Sequence, residues 1–206
     1  AVVFYDSIFE NSEVSISSKV LEKNKNVVRY NARLLTACST FIDSQLKNTS
    51  VTADLCSKED GVNFIRVKGT MVDLNIKNVL YDGFDGDFSK VTFNSVKVSG
   101  AGNDCVDVSA GVYNFKGLEL NKCADKGISV GERSHVAIRS VSISDAQIGI
   151  ASKDSSKVYL SDIAISDVSN CVTAYQKKQE FGPSYIYVPS TPEGCEFKSK
   201  NDTGFL

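Results

Sequence analysis

Apolar residues recur along this chain every 22 positions, with a single step of 23, from about residue 69 onward. A fixed interval of this size is the signature of a repeat architecture, in which each repeat is one structural unit that packs on the next. Three apolar columns carry the interval: Leu74, Val96, Leu118, Val141 and Ile163; Ile76, Val98, Leu120, Ile143 and Ile165; and Met71, Phe93, Phe115, Ile138 and Leu160.

Within each repeat, apolar and polar residues alternate, as at Leu74 and Ile76, and this period of two predicts strands with one buried face. Gly, Asn, Asp and Ser separate the short strands, and these residues tolerate tight turns. Helical patterns of ten or more residues are missing from the repeats, which argues against a helical solenoid. The predicted fold class is therefore all-β, a single-stranded parallel β-helix of about 22 residues per coil, with neighbouring coils ~4.8 Å apart.

The pattern predicts one β-helix domain over residues 1–206. Residues 1–37 form irregular first coils, 38–180 regular coils and 181–206 a C-terminal cap that covers the last strand edge. Residues 32–42 fit either a short amphipathic helix or a strand. Ala1–Tyr5 are apolar and strand-like with no polar cap ahead of them. We therefore expect flanking domains or self-association at the N-terminal end, because open strand edges are usually covered.

Composition excludes several function classes. Lys and Arg (23) nearly balance Asp and Glu (25), so no basic field favours nucleic acid as a partner. No apolar run is long enough for a membrane span, and the first residues lack the pattern of a signal peptide. Six cysteines show no metal-ligand spacing. They fit small buried hydrophobic residues, with disulfides as the alternative, and the sequence does not pair them.

Carboxylates recur on the outward side of the same repeats. Two carboxylates ~5 Å apart repel by roughly 3 kcal/mol at an effective dielectric constant near 20, so a stacked set needs compensation. A bound Ca²⁺ ion, nearby lysines or a raised pKa would supply it. The plainer interpretation is that each Asp holds a turn and stays solvated. One column is Asp60, Asp82, Asp104 and Lys126, the next is Asn63, Asp85, Asp107 and Ser129, and the calcium candidates are Asp82, Asp85, Asp104 and Asp107.

Several polar motifs resemble a family of bacterial right-handed β-helix proteins. These are NDCVDVSAG, DKGISVGERS, IASKDSS and AYQKKQEFGPS, together with TFIDS at 40–44 and EDGVNFIRV at 59–67. The family carries runs such as GNDAIDVSGS, DKGISAGENS and YQKKSEFGP, and the resemblance covers about residues 38–188. It implies a right-handed, pectate-lyase-like solenoid in an extracellular setting, joined in some relatives to spore-coat-kinase-like domains. The family has no established activity, so no reaction follows. Cys105 and Val106 depart from the Ala and Ile typical there.

Two hypotheses follow for the outward columns. In the first, the chain is an extracellular carbohydrate-binding β-helix that acts on acidic polysaccharide as a lyase or epimerase, by analogy with the fold. Calcium would neutralise a uronate carboxylate, and Lys126 or Arg133 would abstract the neighbouring proton. In the second, it is a non-catalytic structural or adhesive surface module whose charges interlock. His135, the only histidine, fits exposed surface.

The first hypothesis assigns roles to particular positions. Its expected partner is a polysaccharide or cell-surface glycan, its location is secreted or cell-surface, and its cofactor is calcium or none. The candidate catalytic residues are Lys126, Arg133 and Glu132, and the candidate binding residues are Asp60, Asn63, Asp87, Asn103, Asp125, Lys153, Asp154 and Lys177.

Overall fold

The computed structural model describes residues 1–17, 37–189, 196–199 and 204–205. The described residues contain no helix that could span a membrane. Their strands, in chain order, are β1 (Val2–Tyr5), β2 (Ile8–Glu10), β3 (Glu13–Ser17), β4 (Ser39–Ile42), β5 (Gln45–Cys56), β6 (Val62–Ile65), β7 (Lys68–Val79), β8 (Phe84–Asp87), β9 (Lys90–Ala101), β10 (Val106–Ser109), β11 (Val112–Phe115), β12 (Leu118–Gly131), β13 (His135–Lys153), β14 (Lys157–Tyr175), β15 (Tyr185–Tyr187), β16 (Phe197–Ser199) and β17 (Gly204–Phe205).

Every strand pairs in parallel with the equivalent strand of the next coil, so the chain winds into a β-solenoid of about seven coils. The register follows the 22-residue interval, and the predicted fold class is confirmed. From β4 to β9 a short strand opens each coil and a long strand completes it. We call the side built by the short strands the first face. Strands β12, β13 and β14 each continue into the first-face strand of the following coil. The inward column of the first face is Val62, Phe84, Val106, Ile128, Ile150 and Val172.

The core fills the centre of the coils. The three predicted apolar columns are buried, and only Ile163 and Ile165 near the C-terminal end are partly buried. Ring packing continues along the axis: Phe93 and Phe115 stack with centroids 4.8 Å apart, and Phe64 meets Phe84 edge to face at 5.1 Å. Such pairs contribute beyond the area that they bury.

One corner of the coils uses left-handed backbone. In the six coils whose first-face strands run from β4 to the end of β13, the residue that follows this strand has φ between 51° and 56°, a region that costs energy for any residue except glycine. Repeating this turn in each of these coils redirects the chain from the first face to the next one. We call this column the first corner, and it contains Asp43, Arg66, Phe88, Ala110, Glu132 and Asp154.

The cysteines are disulfide-bonded, so their interpretation as unpaired hydrophobic residues is wrong. Cys38 bonds Cys56 and Cys105 bonds Cys123, each pair 18 residues apart; Cys171 is disulfide-bonded as well, and Cys195 lies outside the described residues. Intervening coils carry glycine at the equivalent of Cys105. A Cβ on Gly83 would lie 2.6 Å from a Val98 methyl group. This column therefore holds either glycine against an aliphatic side chain or cysteine bonded across the coil.

Both ends of the stack continue the winding. Strands β1 to β3 pair in register with β4 and β5, so residues 2–17 form a coil, and Phe4 packs on Phe41. At the other end β15 and β16 pair with β14, and β17 pairs with β15. The segment predicted as helix or strand becomes β4 from Ser39, and residues 18–36 lie outside the described residues.

Candidate functional site

The first face brings most of the predicted polar residues together. Strand pairing stacks Asn63, Asp85, Asp107 and Ser129 directly, and a neighbouring column on the same side follows two positions later. That second column is Asp87, Ser109, Gly131 and Lys153. A third column, Asp60, Asp82, Asp104 and Lys126, lies where the chain enters the face.

The acids of the third column hold the backbone of the next coil. Asp82 Oδ1 accepts hydrogen bonds from the Asp104 backbone N–H at 2.8 Å and from Asn103 Nδ2 at 2.7 Å. Asp104 Oδ1 in turn accepts from the Lys126 backbone N–H at 3.0 Å and from Lys126 Nζ at 3.3 Å. These bonds link successive coils and satisfy donors at the entry of each strand.

Burial and mutual charge set the pKa values of Asp104 and Lys126. Burial raises the pKa of Asp104 to about 6 even though the Lys126 ammonium opposes it. Burial acts to lower the pKa of Lys126, but the Asp104 and Asp125 carboxylates outweigh it and the pKa is raised. Lys126 also forms an ion pair with Asp125. The lysine therefore stays protonated, the opposite of what a general base at this position requires.

The centre of the first face concentrates carboxyl groups in little solvent. Burial, followed by repulsion from Asp87 and Asp60, raises the pKa of Asp85 well above its ordinary value, and Asn63 Nδ2 donates to Asp85 Oδ2 at 2.6 Å. Burial, followed by repulsion from Asp107 and Glu132, raises the pKa of Asp87 to about 6. Carboxyl groups of this kind can donate a hydrogen bond near neutral pH.

Lys153 reaches across two coils to join this cluster. Its Cε lies 3.6 Å from the place of a Cβ on Gly131, an ordinary van der Waals distance, so the lysine side chain runs along the stack directly over this glycine. Nζ then donates to Ser129 Oγ at 2.5 Å and lies 3.9 Å from Asp107 Oδ1. Lys153 is only 8% exposed, and the Asp107 carboxylate compensates the charge of its buried ammonium group.

The first corner holds the remaining predicted residues. Glu132 forms an ion pair with Lys178, and the Arg133 guanidinium lies 5.3 Å from the centre of the Phe181 ring. Asp154 Oδ1 accepts from the backbone N–H groups of Lys177 and Lys178 at 2.6 and 2.8 Å. The structure thus separates Glu132 and Arg133, at the corner, from Lys126 at the opposite edge of the face.

Three of the four predicted calcium ligands, Asp82, Asp85 and Asp104, accept hydrogen bonds from N–H donors in the described structure. Asp82 and Asp104 each use one oxygen for two hydrogen bonds, and Asp85 accepts from Asn63. Over residues 1–17, 37–189, 196–199 and 204–205, no group of three acidic, histidine or cysteine residues converges as metal ligands do. Calcium binding stays a prediction, and no step below depends on it.

Comparison of the chain with protein-family models, curated proteins and solved structures found no match. The strand pairing shows a parallel β-solenoid. Membership of the family that the motifs resemble stays a prediction. Sequence reasoning missed the role of Gly131 and the contact of Phe181 with Arg133. The first had a signal, a glycine in a column that otherwise carries polar side chains. The second depends on how residues 176–184 fold back, which the repeat does not specify.

Proposed function

We propose that the first face binds an extended carbohydrate, with Asp85, Asp87, Asp107 and Lys153 as its main polar contacts. The β-solenoid supports this proposal because each coil repeats the same strand, so the face is long and regular like a polymer. A secreted or cell-surface location is part of the proposal. Its support is the disulfide bonding of the chain, which is typical of oxidising compartments.

The observation that carries the proposal is an unsatisfied acceptor at the centre of the face. Asp107 Oδ1 is buried and has no hydrogen-bond partner in the described structure, and its nearest cation, Lys153 Nζ, is 3.9 Å away. The Asn63 Oδ1 atom, two coils away in the same column, is also buried and has no hydrogen-bond partner in the described structure. Leaving such an acceptor unpaired costs roughly 1–3 kcal/mol. Because 29% of the Asp107 side chain is exposed, rotation of its carboxyl group would bring Oδ1 to a ligand hydroxyl group, whose hydrogen bond would offset this cost.

The same cluster also supplies donors. Lys153 is cationic, and the raised pKa values of Asp85 and Asp87 keep protons on carboxyl groups in mildly acidic solution. Such donors suit the carboxylate of a uronate sugar, whereas unpaired acceptors suit its hydroxyl groups. We therefore favour a uronate-containing polysaccharide over a neutral one. Binding should strengthen as the pH falls to about 6, because the repulsion from Asp87 then decreases.

Binding without bond cleavage is the function that the geometry supports best. A lyase or epimerase needs a base that is unprotonated at working pH, whereas the carboxylates of Asp104 and Asp125 outweigh burial and raise the pKa of Lys126. Arg133 stacks on Phe181 at the corner, away from Lys126. Neither residue therefore has the state or the position that proton abstraction by the pair would need, and an assay for turnover tests this directly.

The test is binding to an array of uronate-containing and neutral oligosaccharides, with and without calcium. We expect uronate binding by the wild-type chain and a loss of at least about tenfold in affinity for Lys153→Met, because the buried cation is removed. Lys97→Met is the matched control, since Lys97 pairs with Glu119 on a different, exposed side of the coils. Absorbance of an unsaturated uronate product would reveal lyase activity.

If the wild-type chain binds no oligosaccharide, the proposal is wrong. A non-catalytic structural module is then the second candidate function, favoured by ion pairs between neighbouring coils. Arg66 Nε contacts Asp43 at 2.6 Å and Lys97 Nζ contacts Glu119 at 2.8 Å. In that case the melting temperature should fall with added salt, which screens exposed pairs.

A further inference from the structure

Phe88 is the most unusual residue on the surface beside the first face. It is 60% exposed and adopts φ of 53°, a left-handed conformation that is strained for a bulky side chain. Asn or Gly would satisfy the same turn at lower cost. Because the ring is largely exposed, its packing does not offset the cost of the strained backbone and of its contact with water.

A second aromatic ring faces the same corner. Phe181 lies under the Arg133 guanidinium, 5.3 Å from its centre, and the segment carrying it is held by a hydrogen bond from the Gly182 backbone N–H to Ser155 Oγ at 2.7 Å. Between the rings lies a shallow groove of about 470 Å³. Its lining includes Phe88, Val112, Glu132, Arg133, His135 and Phe181.

Gly111 forms part of the lining of this groove. A Cβ at that position would point into the core and lie 2.5 Å from both the Ser89 carbonyl oxygen and the buried Tyr113 ring. Tyr113 cannot move aside easily, because its hydroxyl group donates to the Gly86 carbonyl oxygen at 2.7 Å in the core. The packing beneath the groove therefore requires glycine at this point of its lining.

The groove is continuous with the first face. Asp87, at the end of β8, directly precedes Phe88, and the Glu132 carboxylate at the corner contributes to the raised pKa of Asp87. A polymer bound along the face therefore meets the aromatic corner as it leaves the carboxyl cluster. Apolar rings flanked by a carboxylate and an imidazole match one sugar unit, whose C–H face stacks and whose hydroxyl groups reach polar neighbours.

We propose that the groove between Phe88 and Phe181 is a sugar-stacking subsite at the corner end of the first face. This inference rests on the proposed function, because the sugar unit it holds belongs to the polymer bound by Asp87, Asp107 and Lys153. Glu132 and His135 act as hydrogen-bonding partners of that unit. The subsite adds affinity only for chains long enough to reach the corner.

Titration of short and long oligogalacturonates by calorimetry tests the subsite. The wild-type chain should bind the long oligomer more tightly than the short one. Phe88→Asn should weaken binding of the long oligomer about tenfold, leave the short one unchanged, and keep or raise the melting temperature, because Asn suits the left-handed turn. Phe181→Leu, which keeps an apolar side chain, should weaken long-oligomer binding in the same way. Tyr159→Ala, which removes an exposed ring stacked on Tyr187, is the control without effect on binding.

The outcomes separate the two proposals. If the wild-type chain binds both lengths and Phe88→Asn gives the same two affinities, the subsite is wrong and the proposed function stands. If the wild-type chain binds neither oligomer, both fall. A phenylalanine-rich peptide that binds in a Phe88-dependent way while the oligomers do not would replace the sugar by a protein partner and also overturn the subsite.

Discussion

Each acid at the entry of the first face has a structural role in addition to its charge. Asp82 accepts the Asp104 backbone N–H and Asp104 accepts that of Lys126, so removal of the side chain would also break a contact between coils. Replacement by the matching amide retains the acceptor oxygen and removes only the charge. Asn variants therefore separate electrostatics from hydrogen bonding at these positions.

Asp104→Asn should make stability less dependent on pH. Because burial raises the pKa of Asp104 to about 6, the folded state holds this proton more tightly than the unfolded chain does. The stabilisation from this proton is fully present below about pH 4 and is lost as the pH rises through about 6. The loss in the free energy of unfolding is at most about 3 kcal/mol. Thermal melts at about pH 4 and about pH 7.5 should show a smaller fall for the variant than for the wild-type chain.

Asp162→Asn, at an exposed position, is the control and should retain the wild-type pH dependence. An unchanged fall in Asp104→Asn would show that Asp104 is not a source of the pH dependence.

At the level of strands, stability depends on columns rather than on single contacts. Leu120 pairs in register with Val98 below and Ile143 above, and all three are buried. Neighbouring coils have the same arrangement, and no coil can bury its apolar side chains alone. One defect is therefore felt by the coils on both sides.

Leu120→Asp should unfold the stack at ordinary temperature. The substitution places a charge between two aliphatic side chains with no partner, which costs several kcal/mol, a large part of the stability of a domain. Circular dichroism melts provide the measurement, and Glu119→Ala, at the exposed neighbouring position, should melt like the wild-type chain. A Leu120→Asp protein that keeps its melting temperature would mean that the inward and outward sides are wrongly assigned.

The strand pattern was predictable because it repeats, and the site was predictable only where it repeats too. The 22-residue interval indicates that Asp85 lies over Asp107, and the structure pairs them in register. Lys153 departs from this rule, since its side chain passes over Gly131 and reaches diagonally to Ser129. The disulfides were unpredictable for a similar reason, because the two cysteines of a pair lie in different columns of one coil.

At the scale of the whole molecule, the described strands β1 to β3 have one edge on which no other described strand pairs. Strands β1 to β3 pair with β4 and β5 on one side, and within the described residues no strand pairs with them on the other. Ile8 is 75% exposed and Tyr5 67%. Unpaired strands with exposed apolar side chains favour pairing with another chain.

We expect this end to self-associate in solution. Sedimentation of the wild-type chain should show a mass that increases with concentration, whereas Ile8→Lys should remain monomeric, because a lysine on an edge strand opposes pairing. Val72→Lys, which adds the same charge at an exposed position away from this end, is the control. A wild-type chain that sediments as a monomer at all concentrations would show that this edge does not mediate association.

The disulfide spacing has a mechanical consequence. Cys38, Cys105 and Cys171 occupy one column at intervals of three coils, and each is oxidised. A solenoid pulled from its ends lengthens by unwinding coil after coil, but the bond between Cys105 and Cys123 withholds the 18-residue span that it closes. The fully extended chain is therefore shorter by the spans that the disulfides close, and a reducing agent would release those spans. If this chain tethers a surface to a polymer, its reach under load is set by the redox state of its cysteines.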